Sequence, residues 1–469
     1  MTDPPPARNR GWILSVSQQK KRKLSAQVVE DEDYQLRYER CAGIDVAKAS
    51  GVVCTRLPAQ RDGGRRVAVT ETVAATVPAI AALAGRLAAA GVELVSMESA
   101  SDYWRVWFYV LEAHGLAVQL VNSAQARQLT GRPKTDDLDA KWLARLTEMG
   151  LLRPSFVPPA DIRQLRDCTR ARVHLVQDRT RQYQRLEKLL EGALVKVTAV
   201  TRLTTASAKD MVRAMIAGER DPRTLAALAR TRLKARHEDL VAALTGMRFT
   251  DHHAHLARTL LNLIAYLDED IAILEDKIAA CLDAIPAAQG VDADGTAGGV
   301  GPDPLVLPAV WRLAEIPGLT TELAAQVIGE IGLDMSRFPT AAHLVSWAGL
   351  APVANQPGPR TRKARKGQGD SCLRGFCTQA ATGAALTDTF LGERHRRIAR
   401  KRGPGRAKVA VARSILIIIW HLLKDPETRF TDLGPEHYAS RTDKDKKTRN
   451  LIRQLNALGL DVTITPQAS

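Results

Sequence analysis

Aromatic side chains are scarce in this chain, with Phe, Tyr and Trp together making up only 4% of it. A core built without them must come from Ala, Leu, Val and Ile, a composition that leans toward helix. Long apolar runs are also missing. The most apolar short stretch, Ile415 to Trp420, is core-sized and well short of the ~18 residues a spanning helix needs, so no membrane partner is expected. The N-terminus shows no apolar signal-peptide core. The six cysteines, at 41, 54, 168, 281, 372 and 377, are scattered and form no C-x-x-C pair. That spacing argues against a zinc ribbon and against a disulfide framework, and it fits a reducing cytoplasm.

Positive charge, by contrast, is plentiful. There are 67 Lys and Arg against 51 Asp and Glu, a formal net charge of +16. Such an excess points to a polyanionic partner, because each phosphate neutralised releases condensed counterions. At 469 residues and 45% hydrophobic content, the chain can bury the cores of more than one domain.

Residues 1–37 hold Pro4-Pro5-Pro6, many polar residues and the run Lys20-Lys21-Arg22-Lys23, which reads as a disordered basic arm. From 38 to 152 the pattern alternates between strand and helix. Strand-like runs are 43–54, 67–70, 92–97 and 116–121, and helical stretches are 77–90, 102–114 and about 135–149. Asp62-Gly63-Gly64 predicts a hairpin between the first two strands, and the later alternation predicts crossovers and a mixed, partly parallel sheet. Pro154, Pro158 and Pro159 mark a break. A long helical segment, 153–285, follows. Within it Leu260, Ile264, Leu267, Ile271, Leu274, Ile278 and Cys281 step by 4 and 3 alternately, a heptad seam. The seam predicts either an antiparallel hairpin with helix 161–195 or a coiled-coil contact between subunits, with a short basic, Ala-rich helical insert over 207–247.

Residues 286–304 form a Gly/Ala linker, and a second compact region spans 305–430, followed by a polar tail over 431–469. In the second region Ile316-Pro317-Gly318-Leu319 reads in two ways. It resembles a helix-hairpin-helix, whose amides hold a DNA phosphate, and it is equally an ordinary turn between helices. Arg360, Arg362, Lys363, Arg365, Lys366 and Arg374 form one basic cluster; Arg397, Arg400, Lys401 and Arg402 lie in a second, Arg394 to Lys408. A solvated surface is the bland reading. Two clusters in a chain this basic favour nucleic-acid contact.

Four carboxylates stand out by position. Asp45 sits inside the apolar run Gly43-Ile44-Asp45-Val46-Ala47-Lys48, where a charge is costly unless something positive faces it. Glu98 directly follows the strand 92–97. Asp136 and Asp139 lie at i and i+3, on one face of a helix. Each has an ordinary alternative: a strand-end Asp at an edge, a salt-bridge Glu, a capping-box pair. Together, strand, strand end and helix suit two-metal phosphoryl transfer. Oxygen-only donors fit Mg²⁺ or Mn²⁺, and no Cys/His cluster suggests zinc.

Taken in order, Gly43-Ile44-Asp45-Val46-Ala47-Lys48, Met97-Glu98-Ser99 with Tyr103-Trp104, and Lys134-Thr135-Asp136-x-x-Asp139-Ala140 resemble the DEDD-type insertion-sequence transposases, relatives of the Piv and MooV DNA invertases. The resemblance continues through Ile316-Pro317-Gly318, Phe338-Pro339 and Trp347-Ala348-Gly349-Leu350-Ala351-Pro352. It also takes in Gly369-Asp370-x-x-Leu373-Arg374 and Lys408-Val409-Ala410-Val411-Ala412, so it covers roughly 40–430. It implies an α/β RuvC-like (ribonuclease-H-like) N-terminal domain, a long helical coiled-coil segment and a mainly α C-terminal transposase domain. It further implies that Asp45, Glu98, Asp136 and Asp139 form the metal-binding catalytic tetrad. The implied partners are double-stranded DNA (element ends and target) and, in several members, a structured guide RNA. Assembly as a homodimer or homotetramer is implied too, and the expected location is the cytoplasm, at the nucleoid.

One departure stands out. The family's covalent nucleophile is a serine a few residues after the Gly-Leu-x-Pro motif, and that position holds Pro357. The nearest serines are Ser346 and Ser371, so the nucleophile is unassigned. The reading is therefore a DNA transposase or site-specific recombinase with a complete acidic half and an incomplete serine half. Its rivals are a metal-dependent junction-type nuclease, with water as nucleophile, and a catalytically inactive nucleic-acid-binding regulator.

Overall fold

A computed structural model of the chain describes residues 26–29, 36–59, 66–98, 101–122, 136–289, 307–351, 369–440 and 444–463. The chain divides into two compact units, 1–157 and 158–469.

The first unit is a seven-stranded sheet flanked by helices. In chain order it runs β1 (Ala26–Val29), β2 (Cys41–Val46), β3 (Ser50–Pro58), β4 (Arg66–Ala74), α1 (Val77–Ala89), β5 (Leu94–Glu98), α2 (Trp104–Ala113), β6 (Val118–Val121), α3 (Asp136–Glu148) and β7 (Pro154–Ser155). The strand order is β1-β4-β3-β2-β5-β6-β7. The β2–β5 and β5–β6 pairs are parallel and the others antiparallel; helix α2 makes the crossover between parallel β5 and β6, and a short turn joins antiparallel β2 and β3. This mixed sheet is compatible with a RuvC-like fold.

Two expectations change here. The run 43–54 is two strands, because the chain folds back at Ala47, whose N–H donates to Ser50 O at 2.9 Å, and pairs Asp45 with Val52. The stretch expected as a free arm contributes an edge strand, since Ala26–Val29 pairs with Arg66–Val69 of β4. The Asp62-Gly63-Gly64 turn and Lys20–Lys23 lie outside the described residues.

Alternation along β2 sorts its side chains between two layers. Ala42, Ile44 and Val46 join Ile80, Leu83, Trp107, Phe108 and Leu111 in the core under α1 and α2. The opposite face lies against α3, where Cys54 and Ala68 pack with Ala140 and Ala144.

The second unit begins with α4 (Ala160–Gly192), then α5 (Ala206–Ile216), α6 (Pro222–Ala227), α7 (His237–Leu244) and α8 (Asp251–Asp283). Helices α4 and α8 are 33 residues each, ~50 Å long at ~1.5 Å per residue. They pair antiparallel, as the crossing ion pairs Arg172–Glu275 and Arg179–Asp268 require. Of the seam residues, Ile264, Leu267, Ile271 and Ile278 are buried, whereas Leu260, Leu274 and Cys281 are only half-buried; Leu261 and Leu282 are buried instead. The stripe is displaced because α8 also packs against α5 near one end and α9 (Pro286–Gln289) near the other. The insert between α4 and α8 closes a core of its own, with Leu186, Leu190, Met211, Met215, Leu240, Leu244, Phe249 and Leu261.

The remaining elements are α10 (Ala309–Ala314), α11 (Thr321–Ile331), α12 (Ala341–Trp347), α13 (Ser371–Ala384), α14 (Phe390–Arg402), α15 (Pro404–Lys424), α16 (His437–Ser440) and α17 (Lys444–Ala457). The apolar run Ile415–Trp420 lies on α15, where Ile415, Leu416, Ile419 and Trp420 are buried against neighbouring helices. Trp420 Nε1 donates to Phe338 O at 2.9 Å, tying the Phe338-Pro339 corner to α15. The Ile316–Leu319 turn joins α10 to α11. Gly318, at φ +85°, faces α13 so closely that a Cβ would stand 2.2 Å from Ala380 O and 2.4 Å from Ala384 N. The first amides of α11 are served by Thr320, whose hydroxyl accepts from Leu323 N–H at 3.3 Å. Glycine at this turn therefore lets a helix approach, and a packing role accounts for the motif. Residues 290–306, most of the expected linker, lie outside the described residues, whereas its start forms α9. Among the described residues no helix is long and apolar enough to cross a membrane.

Candidate active site

The acidic residues fall where three elements meet. Strands β2 and β5 run parallel and in register from Cys41↔Leu94 to Ile44↔Met97, so Asp45 and Glu98 stand one step beyond the last pair, side by side. Their parity puts both on the α3 face: Gly43 and Ser96 share that face, and Thr147 of α3 donates to Ser96 Oγ at 2.7 Å.

Helix α3 runs along this face in the reverse sense. Cys41 Sγ lies 3.4 Å from Ala144 O. Gly43 meets the helix backbone itself, where a Cβ would be 2.4 Å from Ala144 N and 2.7 Å from Ala140 O. Two residues further along β2, Asp45 lies on the same face in the direction of the start of α3, which carries Asp136 and Asp139. Asp45, Glu98 and Asp139 are each half-buried; the Asp136 side chain lies outside the described residues, although its backbone opens the helix.

Carboxylates on adjacent parallel strands, ~4.8 Å apart, repel one another unless a cation lies between them. A third from a helix start would complete an all-oxygen donor set suited to a hard divalent ion, although among the described residues Asp45, Glu98 and Asp139 are not drawn within 4.8 Å of one another. The position, at the C-terminal ends of two parallel strands, is where open α/β sheets take ligands. The chemistry of these donors, rather than a formed cluster, is what fits a divalent metal.

What holds α3 in this place is a buried ion triad at its other end. Glu148 is fully buried; Arg56 Nε donates to Glu148 Oε2 at 2.8 Å and Arg66 Nε to Oε1 at 2.7 Å. Arg66 also donates to Glu39 O, and the N–H groups of Arg37 and Tyr38 donate to Glu148 O at 2.9 and 3.2 Å. Beside the triad, burial pushes the Cys41 thiol up to about 12. Sequence reasoning missed these three residues, which lie far apart along the chain.

In the second unit, a further cluster brings Glu330, Asp370 and Cys372 together, with ligand atoms within 4.8 Å of one another. It is better described as an ion network. Arg170 donates to both oxygens of fully buried Glu330 at 2.7 Å, Arg166 Nε stands 3.4 Å away, and Arg170 lies 3.7 Å from Asp370. The bond to Glu330 raises the Arg170 guanidinium above its already high value. A metal ion here would have to displace guanidinium. Asp370 also caps α13, accepting from Leu373 N–H at 2.8 Å.

The serine half surrounds a segment whose positions 352–368 lie outside the described residues; these include Pro357, Arg360, Arg362, Lys363, Arg365 and Lys366. The flanks of that segment meet. Asp370 N–H donates to Trp347 O at 3.3 Å, and a Cβ at Gly369 would be 2.3 Å from Gly349 N. Ser346 and Ser371, one residue from that pair on either side, are both exposed. Arg374 is half-buried one turn into α13. In the second basic cluster Arg397 lies over the Tyr438 ring, 4.1 Å from its centroid, and Arg400 pairs with Glu393 at 3.0 Å. Lys401 and Arg402 are exposed at the end of α14.

A sheet with three antiparallel strands leading into two parallel ones, carrying carboxylates at its strand ends, is compatible with the RuvC-like class of folds. Comparison with known proteins narrows it. An IS110-type DEDD transposase model matches residues 42–195, and a second, described as a transposase of the IS116/IS110/IS902 family, matches 311–396. The chain is also 27% identical over 363 residues to the "Insertion element IS116 uncharacterized 44.8 kDa protein" of Streptomyces clavuligerus, covering 70% of this chain and 81% of that one. The chain belongs to the DEDD-type transposases of the IS110/IS116 insertion sequences and is an enzyme of the transposase/recombinase class.

Proposed function

We propose that this DNA transposase works by Mg²⁺-dependent phosphoryl transfer, with Asp45, Glu98, Asp136 and Asp139 holding the divalent ions. The observation that supports the proposal is the parallel register that sets Asp45 beside Glu98 on the sheet face covered by α3. When bound, such ions polarise a phosphate and stabilise the leaving oxygen. The carboxylates of β2, β5 and the start of α3 would hold those ions and, through them, set where the phosphate sits. A hydroxyl of the C-terminal unit attacks in line. With proline at 357, Ser346 and Ser371 are the candidates that flank the same segment. Arg374, Arg397, Arg400, Lys401 and Arg402, with Arg360, Arg362, Lys363, Arg365 and Lys366, hold the double-stranded DNA backbone of element ends and target. A structured guide RNA supplies target choice, the working form is a homodimer or homotetramer, and the site of action is the cytoplasmic nucleoid.

Pro357 favours one second reading, a nuclease in which water attacks and no covalent intermediate forms. Incubating the protein with donor and target DNA and Mg²⁺, then denaturing it, separates the two. Protein–DNA adducts that vanish in Ser346→Ala or Ser371→Ala support the transposase mechanism. Nicked DNA without adduct supports the nuclease, and gel shifts alone support a binding protein without chemistry. Asp45→Asn and Asp139→Asn are each expected to abolish Mg²⁺-dependent cleavage while DNA binding persists; cleavage unchanged in both removes the carboxylates from the mechanism.

A further inference from the structure

Two features of the second unit have no part in the chemistry above, and their properties complement each other. The first is a cavity of about 320 Å³ enclosed by the C-terminal end of α8 together with α9, α10 and α11. Its floor is apolar, with Ile278, Leu282 and Ala325, and Trp311 stands at its side with 60% of its surface exposed. Among the described residues its charged lining is acidic: Glu275, Asp283 and Glu322 against Arg172, which is already bonded to Glu275. In a chain with a net charge of +16, a local acidic excess around an exposed indole is unusual.

The second feature is α17. Its sequence carries Lys444, Lys446, Lys447, Arg449 and Arg453 against Asp445. Leu451, Leu455 and Leu458 recur at i, i+4 and i+7, on one face, and are 50, 37 and 77% exposed. Beyond the helix, Gly459 at φ +78° turns the chain so that Leu460 N–H donates to Leu455 O at 3.2 Å, which brings Leu460, 55% exposed, back to the same end. A basic helix whose leucines point to water is a helix built to dock into an apolar groove with an acidic margin.

We propose that α17 of one copy of this chain docks into the Trp311 cavity of a second copy. Leu451 and Leu455 enter the apolar floor, and Arg453 meets the Glu322 and Asp283 margin. Each copy offers one cavity and one helix, so two copies related by a two-fold axis exchange both.

The receptor for the test is the full-length chain carrying Leu451→Asp and Leu455→Asp, which keeps its own helix out of the cavity. A fluorescein-labelled peptide of residues 444–463 is titrated against it and read by anisotropy. Saturable binding is expected, at least tenfold weaker when Trp311→Ala or Glu322→Arg is added to the receptor, and weaker as salt rises. Regain of affinity when Glu322→Arg meets an Arg453→Glu peptide would confirm the charge contact. No binding, or equal binding to the Trp311→Ala receptor, overturns the proposal. Photo-crosslinking from position 455 in the full-length chain then decides whose cavity is filled. Crosslinks to α10 or α11 in a two-chain band are expected; crosslinks confined to single chains refute the exchange between copies.

Discussion

Removing the charge of Glu148 is the sharpest test of how the acidic site is held. Its carboxylate is buried with two guanidiniums, Arg56 and Arg66, that have almost no exposure of their own. Glu148→Gln keeps the shape and leaves those two cations without a counter-charge. Breaking a buried ion pair in this way costs ~3–5 kcal/mol, and with two orphaned arginines the upper half of that range applies. In a unit of this size each kcal/mol lowers the melting temperature by roughly 2–4 °C, so a drop of about 10 °C is expected in the transition of the N-terminal unit, followed by calorimetry. The triad anchors one end of α3 and Gly43 its middle, so cleavage should fall along with stability even though Asp45 and Glu98 are untouched. A triple replacement, Glu148→Met with Arg56→Met and Arg66→Met, should recover most of the lost stability, because an apolar substitute needs no partner. A melting point within ~2 °C of the parent for Glu148→Gln would refute the anchoring, since the cost of an unpaired buried charge cannot be that small.

Three further outcomes are expected. Gly43→Ala puts a methyl 2.4 Å from Ala144 N, so α3 must lift from the sheet; ~1–3 kcal/mol of stability and the Mg²⁺-dependent cleavage should be lost together. Gly318→Ala meets backbone atoms of α13 at a positive φ, and a loss of at least ~2 kcal/mol should show in the urea midpoint of the C-terminal unit. Burial pushes Cys41 and Cys377 up to about 12, above the unfolded value of ~8.5, so both should resist iodoacetamide at neutral pH until the chain unfolds. The folded state holds these protons more tightly. Their contribution is therefore complete below about pH 8.5 and is lost toward pH 12, and Cys41→Ala should flatten that decline by up to ~1.4 kcal/mol per pH unit.

How much of this was legible in the sequence depended on how local each signal is. Helices α1, α3 and α4 follow from patterns within a few turns, and their bounds lie within a few residues of those expected. The β2–β3 turn was missed because Ala47-Lys48-Ala49-Ser50 contains no Gly, Pro, Asn or Asp; only the pairing of Asp45 with Val52 reveals it. The carboxylates proposed for the site are nominated by type and order alone. That Asp45 neighbours Glu98, however, is a property of a parallel pairing between distant segments. The same holds for Glu148, whose partners 92 and 82 residues away leave no trace in its own surroundings. The Ile-Pro-Gly turn was visible as a turn, yet its purpose depended on Ala380 and Ala384, far along the chain.

The paired helices α4 and α8 separate two cores that fold around their own side chains, one at the insert and one around α15. A rod of two antiparallel helices behaves like a spacer with a built-in pitch. Seven residues added to both strands of it would carry the insert ~10 Å outward with almost no rotation, because seven residues is close to two turns. Four residues would swing it by about 40°, the excess over one turn at ~100° per residue. Related chains that serve elements of different geometry can therefore differ in the length of this rod by whole heptads while both ends keep their packing. A length variant out of that phase would turn the insert away from whatever it faces, with no residue of either core altered.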